Sequence, residues 1–384
     1  MVVNLRMGGK LCIFAEKNII KNMELQNIIE QWKSLQPLSE MDTLRLQNKF
    51  MLDFNYNSNH MEGNTLTYGQ TEVLLLFGEV IGNAPMRDFE EMKAHNLCLN
   101  LMMDEALSGK PLTEAFIRQL HKVMLREDYE VPVKSPSGVI SSYTVHAGIY
   151  KTRPNSVKTP SGAMFYYATP EETPALMYDL VQWYNEAITS HKFSPIELAA
   201  MFHYRYIRIH PFEDGNGRIA RLMVNFILKQ HGWPMMVVKT KNKSAYLAAL
   251  AQADANVGLV PSDGAHAGYD AIVPFIDHMK KILLSDVVGY ISFISMDKNS
   301  SWWYEGDIIE FSTATPGNIL SLLQSDPNIT LDNMSVALGI NRSALQKQIS
   351  TLAEKKYISR PEGKKRGWIV NVKNTISYGN GFMK

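Results

Sequence analysis

The chain of 384 residues predicts a mainly α protein with one short β-hairpin and a separate, basic C-terminal module. Three observations carry this. Apolar residues recur at helical spacing through most of residues 24–290. One stretch, Ser137 to Val157, breaks that pattern with Ser, Thr, Tyr, Val and Gly. Residues 311–384 hold ten Lys/Arg against four Asp/Glu, while the whole chain is nearly neutral at +1.

Length and an apolar fraction of 45% suit two or more domains with sizeable cores. No apolar run approaches the roughly 18 residues of a membrane span. Leu11–Ala15 is too short for a signal-peptide core of about 7–15 residues. Cys12 and Cys98 are far apart and lack metal-ligand or CxxC spacing, which suits a reducing compartment, so a cytoplasmic location is expected. Met23 is a second candidate start, with residues 1–22 as an upstream extension.

The densest chemistry lies in His210-Pro211-Phe212-Glu213-Asp214-Gly215-Asn216-Gly217-Arg218, with Arg221 one turn on. Ser194-Pro195-Ile196-Glu197 reads as a helix start, with an N-cap serine, proline at the first helical position and a capping-box glutamate. Leu198, Met201, Phe202, Tyr206 and Ile209 then share a buried face over 195–209. Pro211 disfavours helical geometry at His210 and ends the run. A second helix is expected to begin near Arg218, with Ile219, Leu222, Met223, Phe226 and Ile227 inward.

A loop feeding a helix N-terminus presents free N–H groups and the positive dipole end, which suits an anion. Gly215 and Gly217 let backbone approach phosphate oxygens, and Arg218 and Arg221 share one side of the new helix. Asp214 is a hard oxygen ligand suited to Mg²⁺, and His210 is the candidate base for an incoming hydroxyl. Phe212 is expected to anchor the loop in the core.

The nonamer reads as HPFxDGNGR and resembles the active-site motif of the Fic family. Leu66-Thr67-Tyr68-Gly69-Gln70-Thr71-Glu72-Val73-Leu74-Leu75-Leu76-Phe77 and Tyr246-Leu247-Ala248-Ala249-Leu250 continue the resemblance, which spans most of residues 50–285. It implies a Fic-type helical core that transfers AMP from ATP to a Ser, Thr or Tyr hydroxyl of a target protein and of itself, with Mg²⁺. His210 would be the base, and Asn216 with the Gly215 and Gly217 N–H groups would stabilise developing charge. Ser58-Asn59-His60-Met61-Glu62-Gly63-Asn64 resembles the family's inhibitory helix, (S/T)xxxE(G/N). That implies a helix over 56–64 in which Ser58, Glu62 and Gly63 carry the motif and Glu62 pairs with Arg221. Removal of AMP, or another phosphate-containing donor, stays open.

Alternation in Tyr143-Thr144-Val145-His146 and Gly148-Ile149-Tyr150-Lys151 suggests two strands joined by a turn. In the family such a flap docks the target by strand addition, which would give Tyr143, Val145, Gly148, Ile149 and Tyr150 that role. An ordinary surface hairpin is the other reading. Lys151 stands where the family's Gly-x-Tyr-Arg has arginine.

The expected order is a helical region over 23–110, the catalytic core over 111–285, a junction over 286–312 and a C-terminal domain over 313–384. Pro316–Gln324, Leu331–Leu338 and Arg342–Lys356 read as three helices. The basic loop 362–367 and the strand Trp368-Ile369-Val370 follow. This resembles a winged helix. Arg342, Ser343, Gln346 and Lys347 would then face DNA from the third helix, and Lys364, Lys365 and Arg366 would meet phosphates. Protein docking or dimerisation is the other use of such a module. A DNA-binding regulator that senses nucleotide with little turnover is the second functional reading, and a homo-oligomer is compatible with both.

Overall fold

A computed structural model describes residues 24–134, 140–158, 162, 164–295, 301–304, 307–311, 313–361 and 367–374. The expected extension 1–22 and the wing residues Lys364, Lys365 and Arg366 lie outside them. The chain divides into two units. One takes in residues up to Gln36, Phe50–Leu66 and Gly82–Gly289, and the other Pro37–Lys49, Thr67–Ile81 and Tyr290–Lys384.

The first unit is built around two helices, α7 (Pro195–Ile209) and α8 (Asn216–Gln230), packed on each other. Ser194 and Glu197 form the capping box read from the sequence: Glu197 Oε2 accepts from the Ser194 N–H at 2.8 Å and from its hydroxyl at 2.8 Å. Nearly every residue of α7 is buried, which marks it as a central helix rather than a surface one. α4 (Met86–Leu107) packs on α8 and on α5 (Glu114–Leu125), and α6 (Thr173–Ser190) packs on α7. The helix over 24–34 (α1) and α2 (Glu40–His60) precede α3 (Tyr68–Phe77) in the chain. α9 (Lys243–Val257), α10 (Pro261–Ala265) and α11 (Val273–Ser295) follow α8. Among the described residues no helix is long and apolar enough to cross a membrane.

The strands differ from the expectation. β1 (Tyr129–Lys134) pairs antiparallel with β2 (Ile140–Val145), with Tyr129 opposite Val145. Residues 148–151 form no strand. Their backbone groups are taken elsewhere: Gly148 N–H donates to His121 Nδ1 at 2.9 Å, its carbonyl accepts from Arg118 at 2.8 Å, and Lys151 N–H donates to the Pro211 carbonyl at 2.8 Å. Backbone bonded to a helix and a loop is not free to make a ladder. A second, shorter hairpin pairs β3 (Val157–Lys158) with β4 (Met164–Phe165).

In the second unit, α12 (Ala314–Ser325), α13 (Leu331–Leu338) and α14 (Arg342–Glu354) enclose a core of Ile319, Leu320, Leu323, Met334, Leu345, Ile349 and Leu352. β7 (Ile358–Ser359) pairs with β8 (Ile369–Val370) across the expected wing. β5 (Ser301–Tyr304) lies between β6 (Asp307–Glu310) and β9 (Lys373–Asn374). Trp302, which the sequence reading leaves in a junction between domains, is fully buried in this unit's core.

Candidate active site

His210 ends α7 in the left-handed region, at φ 52°, with its N–H bonded to the Tyr206 carbonyl at 2.9 Å. That conformation turns the chain into the loop. Lys151 holds it there: its ammonium donates to the Ile209 and His210 carbonyls at 3.0 and 2.9 Å and to Asn155 Oδ1 at 3.0 Å. Asn155 also donates to the carbonyls of His210 and Phe212. Burial pushes the Lys151 amine down to about 8.

Phe212 is fully buried, as expected, and stacks on His121 with ring centroids 3.7 Å apart. Because His121 Nδ1 accepts from Gly148 N–H, its Nε2 carries the proton and donates to the Asp214 carbonyl at 3.1 Å. Asn216 closes the loop from within. Its Oδ1 accepts from Phe212 N–H at 3.0 Å and its Nδ2 donates to the Phe212 carbonyl at 2.7 Å. Its side chain thus braces the loop through both its oxygen and its nitrogen. α8 begins at Asn216, two residues before the expected start, because Gly215 adopts φ 74° and serves as N-cap.

These elements line a cleft of about 540 Å³ that gathers Glu62, His210, Asp214, Gly215, Asn216, Gly217 and Arg221. Tyr204, Tyr246, Leu247, Leu250, Ala251 and Asp254 line it too, together with Val157, Phe165 and Tyr167 from the β3–β4 region. Tyr143, Val145, Gly148, Ile149 and Tyr150 do not line it, so the hairpin at the cleft is β3–β4. Tyr167 stacks on the His210 ring at 4.0 Å, with the planes 16° apart. Burial and the Lys151 ammonium push the His210 imidazole down to about 4, so it is neutral near pH 7.

Asp214 Oδ1 accepts from Gly215 N–H at 2.6 Å, and Oδ2 accepts from the Tyr129 hydroxyl at 2.5 Å. Burial works to raise its carboxyl, and the nearby Arg218 with these hydrogen bonds outweighs that, so it stays ionised. Arg218 lines a smaller adjoining hollow of about 290 Å³ rather than the main cleft. The residue is 4% exposed, and its guanidinium stands 3.6 Å from Asp214 Oδ2, with an Nε that has no hydrogen-bond partner among the described residues.

α2 ends at His60, and Glu62 sits in the turn beyond it, before Gly63 at φ 98°. Arg221 Nη2 donates to Glu62 Oε1 at 2.7 Å and to the Ser58 carbonyl at 2.8 Å, while its Nε donates to Ser58 Oγ at 3.0 Å. Burial raises the Glu62 carboxyl and Arg221 more than reverses this, leaving it ionised. Lys243 Nζ on the Met61 carbonyl at 2.6 Å ties down the turn, and Thr240 N–H on Asn57 Oδ1 at 2.9 Å ties down the last turn of α2.

The predicted DNA-facing side chains Arg342, Ser343, Gln346 and Lys347 are all exposed on α14, opposite buried Leu345, Ile349 and Leu352. Arg342 pairs with Asp332 at 2.8 Å. The residues that sequence reasoning missed are Tyr129, Asn155, Tyr167 and His121, which reach the loop from distant elements.

Residues 111–228 match the Fic/DOC family, and residues 313–359 match a winged helix-turn-helix DNA-binding family. Protein adenylyltransferase fic-1 of Caenorhabditis elegans is 31% identical over 197 residues, which is 51% of this chain and 35% of that protein. The chain thus spans about a third of that relative. The crystal structure of a Fic domain containing signaling protein from Bacteroides thetaiotaomicron is 50% identical, at a TM-score of 0.66, over 71% of this chain and 96% of that one. A Fic family protein from Desulfovibrio desulfuricans shares the fold at 20% identity and a TM-score of 0.55, over 92% of this chain and 95% of that one. With half of its residues identical across nearly the whole Bacteroides chain, and with the HPFEDGNGR loop set between α7 and α8, this chain belongs to the Fic/DOC family.

Proposed function

We propose that this chain is a protein adenylyltransferase held off by its own Glu62. The observation that carries the reading is the Glu62–Arg221 pair, which lies in a cleft beside a neutral His210 and the start of α8. The name of the nematode relative supports the same chemistry. ATP would set its base against Leu247, Leu250 and Ala251, and its phosphates along the N–H groups that open α8. Arg218, which lines the adjoining hollow, would act on the phosphates from that side, across Asp214.

In the reaction, His210 takes the proton of a Ser, Thr or Tyr hydroxyl as its oxygen bonds to the α-phosphorus. The bond from that phosphorus to the α–β bridging oxygen breaks, and pyrophosphate leaves with the electron pair. The Gly217 N–H, in the open first turn of α8, faces the charge that develops, while the Gly215 N–H stays on Asp214. Tyr167 keeps the imidazole plane fixed, and Lys151 with Asn155 keeps its backbone in place.

No cluster of three or more His, Cys, Asp or Glu able to hold a metal occurs among the described residues. Mg²⁺ takes most of its ligands from phosphates and water, so one carboxylate can be enough on the protein side. Asp214, ionised and in the cleft, would hold it, and the ion would neutralise phosphate charge. We place the reaction in the cytoplasm, on a hydroxyl-bearing target protein.

The test is self-labelling. Wild type, Glu62→Gly and Glu62→Gly/His210→Ala are incubated with Mg²⁺ and α-³²P-ATP. Label in the single mutant alone is the expected result. If all three stay unlabelled while ATP binds, the chain is not an adenylyltransferase acting on itself. The exposed basic face of α14 favours a second role in binding duplex DNA, which would make the chain a regulator that senses nucleotide.

A further inference from the structure

Glu62 does not grip Arg221 alone. Ser58 holds it as well, its hydroxyl oxygen accepting from Nε and its carbonyl from Nη2, and the Tyr246 hydroxyl also meets the guanidinium. A buried hydroxyl that accepts from a guanidinium must direct its own proton to another acceptor. His95 Nε2, on α4, stands 3.1 Å from Ser58 Oγ.

The state of that imidazole follows from its other side. His95 Nδ1 lies 2.6 Å from Asn55 Oδ1. The Asn55 amide nitrogen donates to the Met51 carbonyl at 2.8 Å and to Asn96 Oδ1 at 2.9 Å, so its oxygen is the atom turned to His95. Nδ1 therefore carries hydrogen and Nε2 offers a lone pair. The chain of donors has one direction: Arg221 to Ser58, Ser58 to His95, His95 to Asn55.

We infer that His95 is a positioning residue of the inhibitory grip. It takes the Ser58 proton, aims the hydroxyl oxygen at Arg221 Nε and so holds the guanidinium with its Nη2 toward Glu62. Without that acceptor the hydroxyl turns, the Nε bond lapses, and Arg221 is freer to leave Glu62 for a phosphate. This deepens the proposed function and rests on Glu62 as the inhibitor.

The experiment compares His95→Leu with His95→Gln, whose side-chain oxygen can accept from Ser58. His95→Leu should raise wild-type self-labelling about three- to tenfold, the worth of one hydrogen bond. His95→Gln should leave it unchanged. In the Glu62→Gly chain His95→Leu should give no gain. Ser58→Ala should match His95→Leu, and the two together should add nothing. A merely structural histidine would instead lower labelling in both backgrounds.

Hydrogen exchange gives a readout independent of catalysis. The Glu62, Gly63 and Asn64 amides, bonded to the Asn59 and His60 carbonyls, should exchange faster in His95→Leu by a similar factor. If Glu62→Gly labels but His95→Leu neither gains label nor exchanges faster, the inference is overturned. If Glu62→Gly itself stays silent, the adenylylation reading fails, and the exchange of these amides alone decides whether His95 holds the turn.

Discussion

Glu62 stands where a side chain on Gly217 would be: a Cβ built there falls onto the Glu62 carboxylate and within 3.1 Å of Arg221 Nη1. A bare Gly217 therefore leaves room for the Glu62 carboxylate and, on the proposed function, for a phosphate once Glu62 leaves. Gly217→Ala should displace Glu62 yet leave its own methyl in the same place. ATP titrated by calorimetry should bind at least tenfold more tightly to Glu62→Gly than to wild type, and Gly217→Ala should show no such gain. Tight binding to Gly217→Ala would mean that the phosphates lie elsewhere.

The loop depends on Asn216 more than on any residue that meets substrate. Asn216→Ala leaves the Phe212 N–H buried without its acceptor, a loss of about 1–3 kcal/mol. Denaturant unfolding should record that loss in the first unit. Self-labelling of Glu62→Gly/Asn216→Ala should fall with it, because the Asn216 amide is bonded to Phe212 on both its oxygen and its nitrogen. An unchanged midpoint would contradict the bracing role.

Much of this site was legible because its parts are local. The capping box at Ser194 and Glu197, the stop at Pro211 and the glycine turn are written in adjacent residues, so helix, loop and helix could be read in order. The Ser58–Glu62 pattern was legible only through resemblance. Tyr129 and Tyr167 were not legible, since a ring on His210 or a hydroxyl on Asp214 leaves no mark beside the motif it serves. β1 was hidden by Pro132, which argues against a strand unless it lies at an edge, as here in a two-stranded ladder. The alternation at 148–151 misled because tertiary hydrogen bonds took that backbone first.

On the proposed function the base is His210, whose imidazole near 4 is already neutral where an exposed histidine would still be titrating. For Glu62→Gly, kcat/KM should stay level from pH 8 down to about 5 and fall only as His210 gains a proton below that. A pH series with saturating Mg²⁺ measures it, since kcat/KM reports the free enzyme. A break near 6.5 would place the base in contact with solvent.

Glu72 on α3 is fully buried, and neither carboxyl oxygen has a hydrogen-bond partner among the described residues. Burial raises it from 4.5 to about 8, with Lys373 pulling partly back. The folded chain thus keeps a proton that the unfolded chain releases above about 4.5. Its contribution is fully present below that pH and is lost as pH rises towards 8, on the order of 3 kcal/mol. Thermal unfolding of wild type and Glu72→Gln should nearly coincide at pH 5, with Glu72→Gln the more stable at pH 8. Parallel curves would show that Glu72 is ionised or solvated in the folded state.

The exposed row Arg342, Ser343, Gln346 and Lys347 gives the second unit its own test. Asn341 caps α14, its Oδ1 accepting from Ala344 N–H at 2.8 Å, so the first turn that would enter a groove is rigid. Arg342 already has Asp332 as a partner, whereas Lys347 projects from the helix with its positive charge exposed. Duplex DNA binding should weaken steeply with salt, and Lys347→Ala should lower the slope of log K against log salt by about 1 while leaving sequence preference intact. Arg342→Ala should cost less, because Asp332 offsets its charge in the free protein. A salt-independent interaction, or none with any duplex, would assign this face to a protein partner.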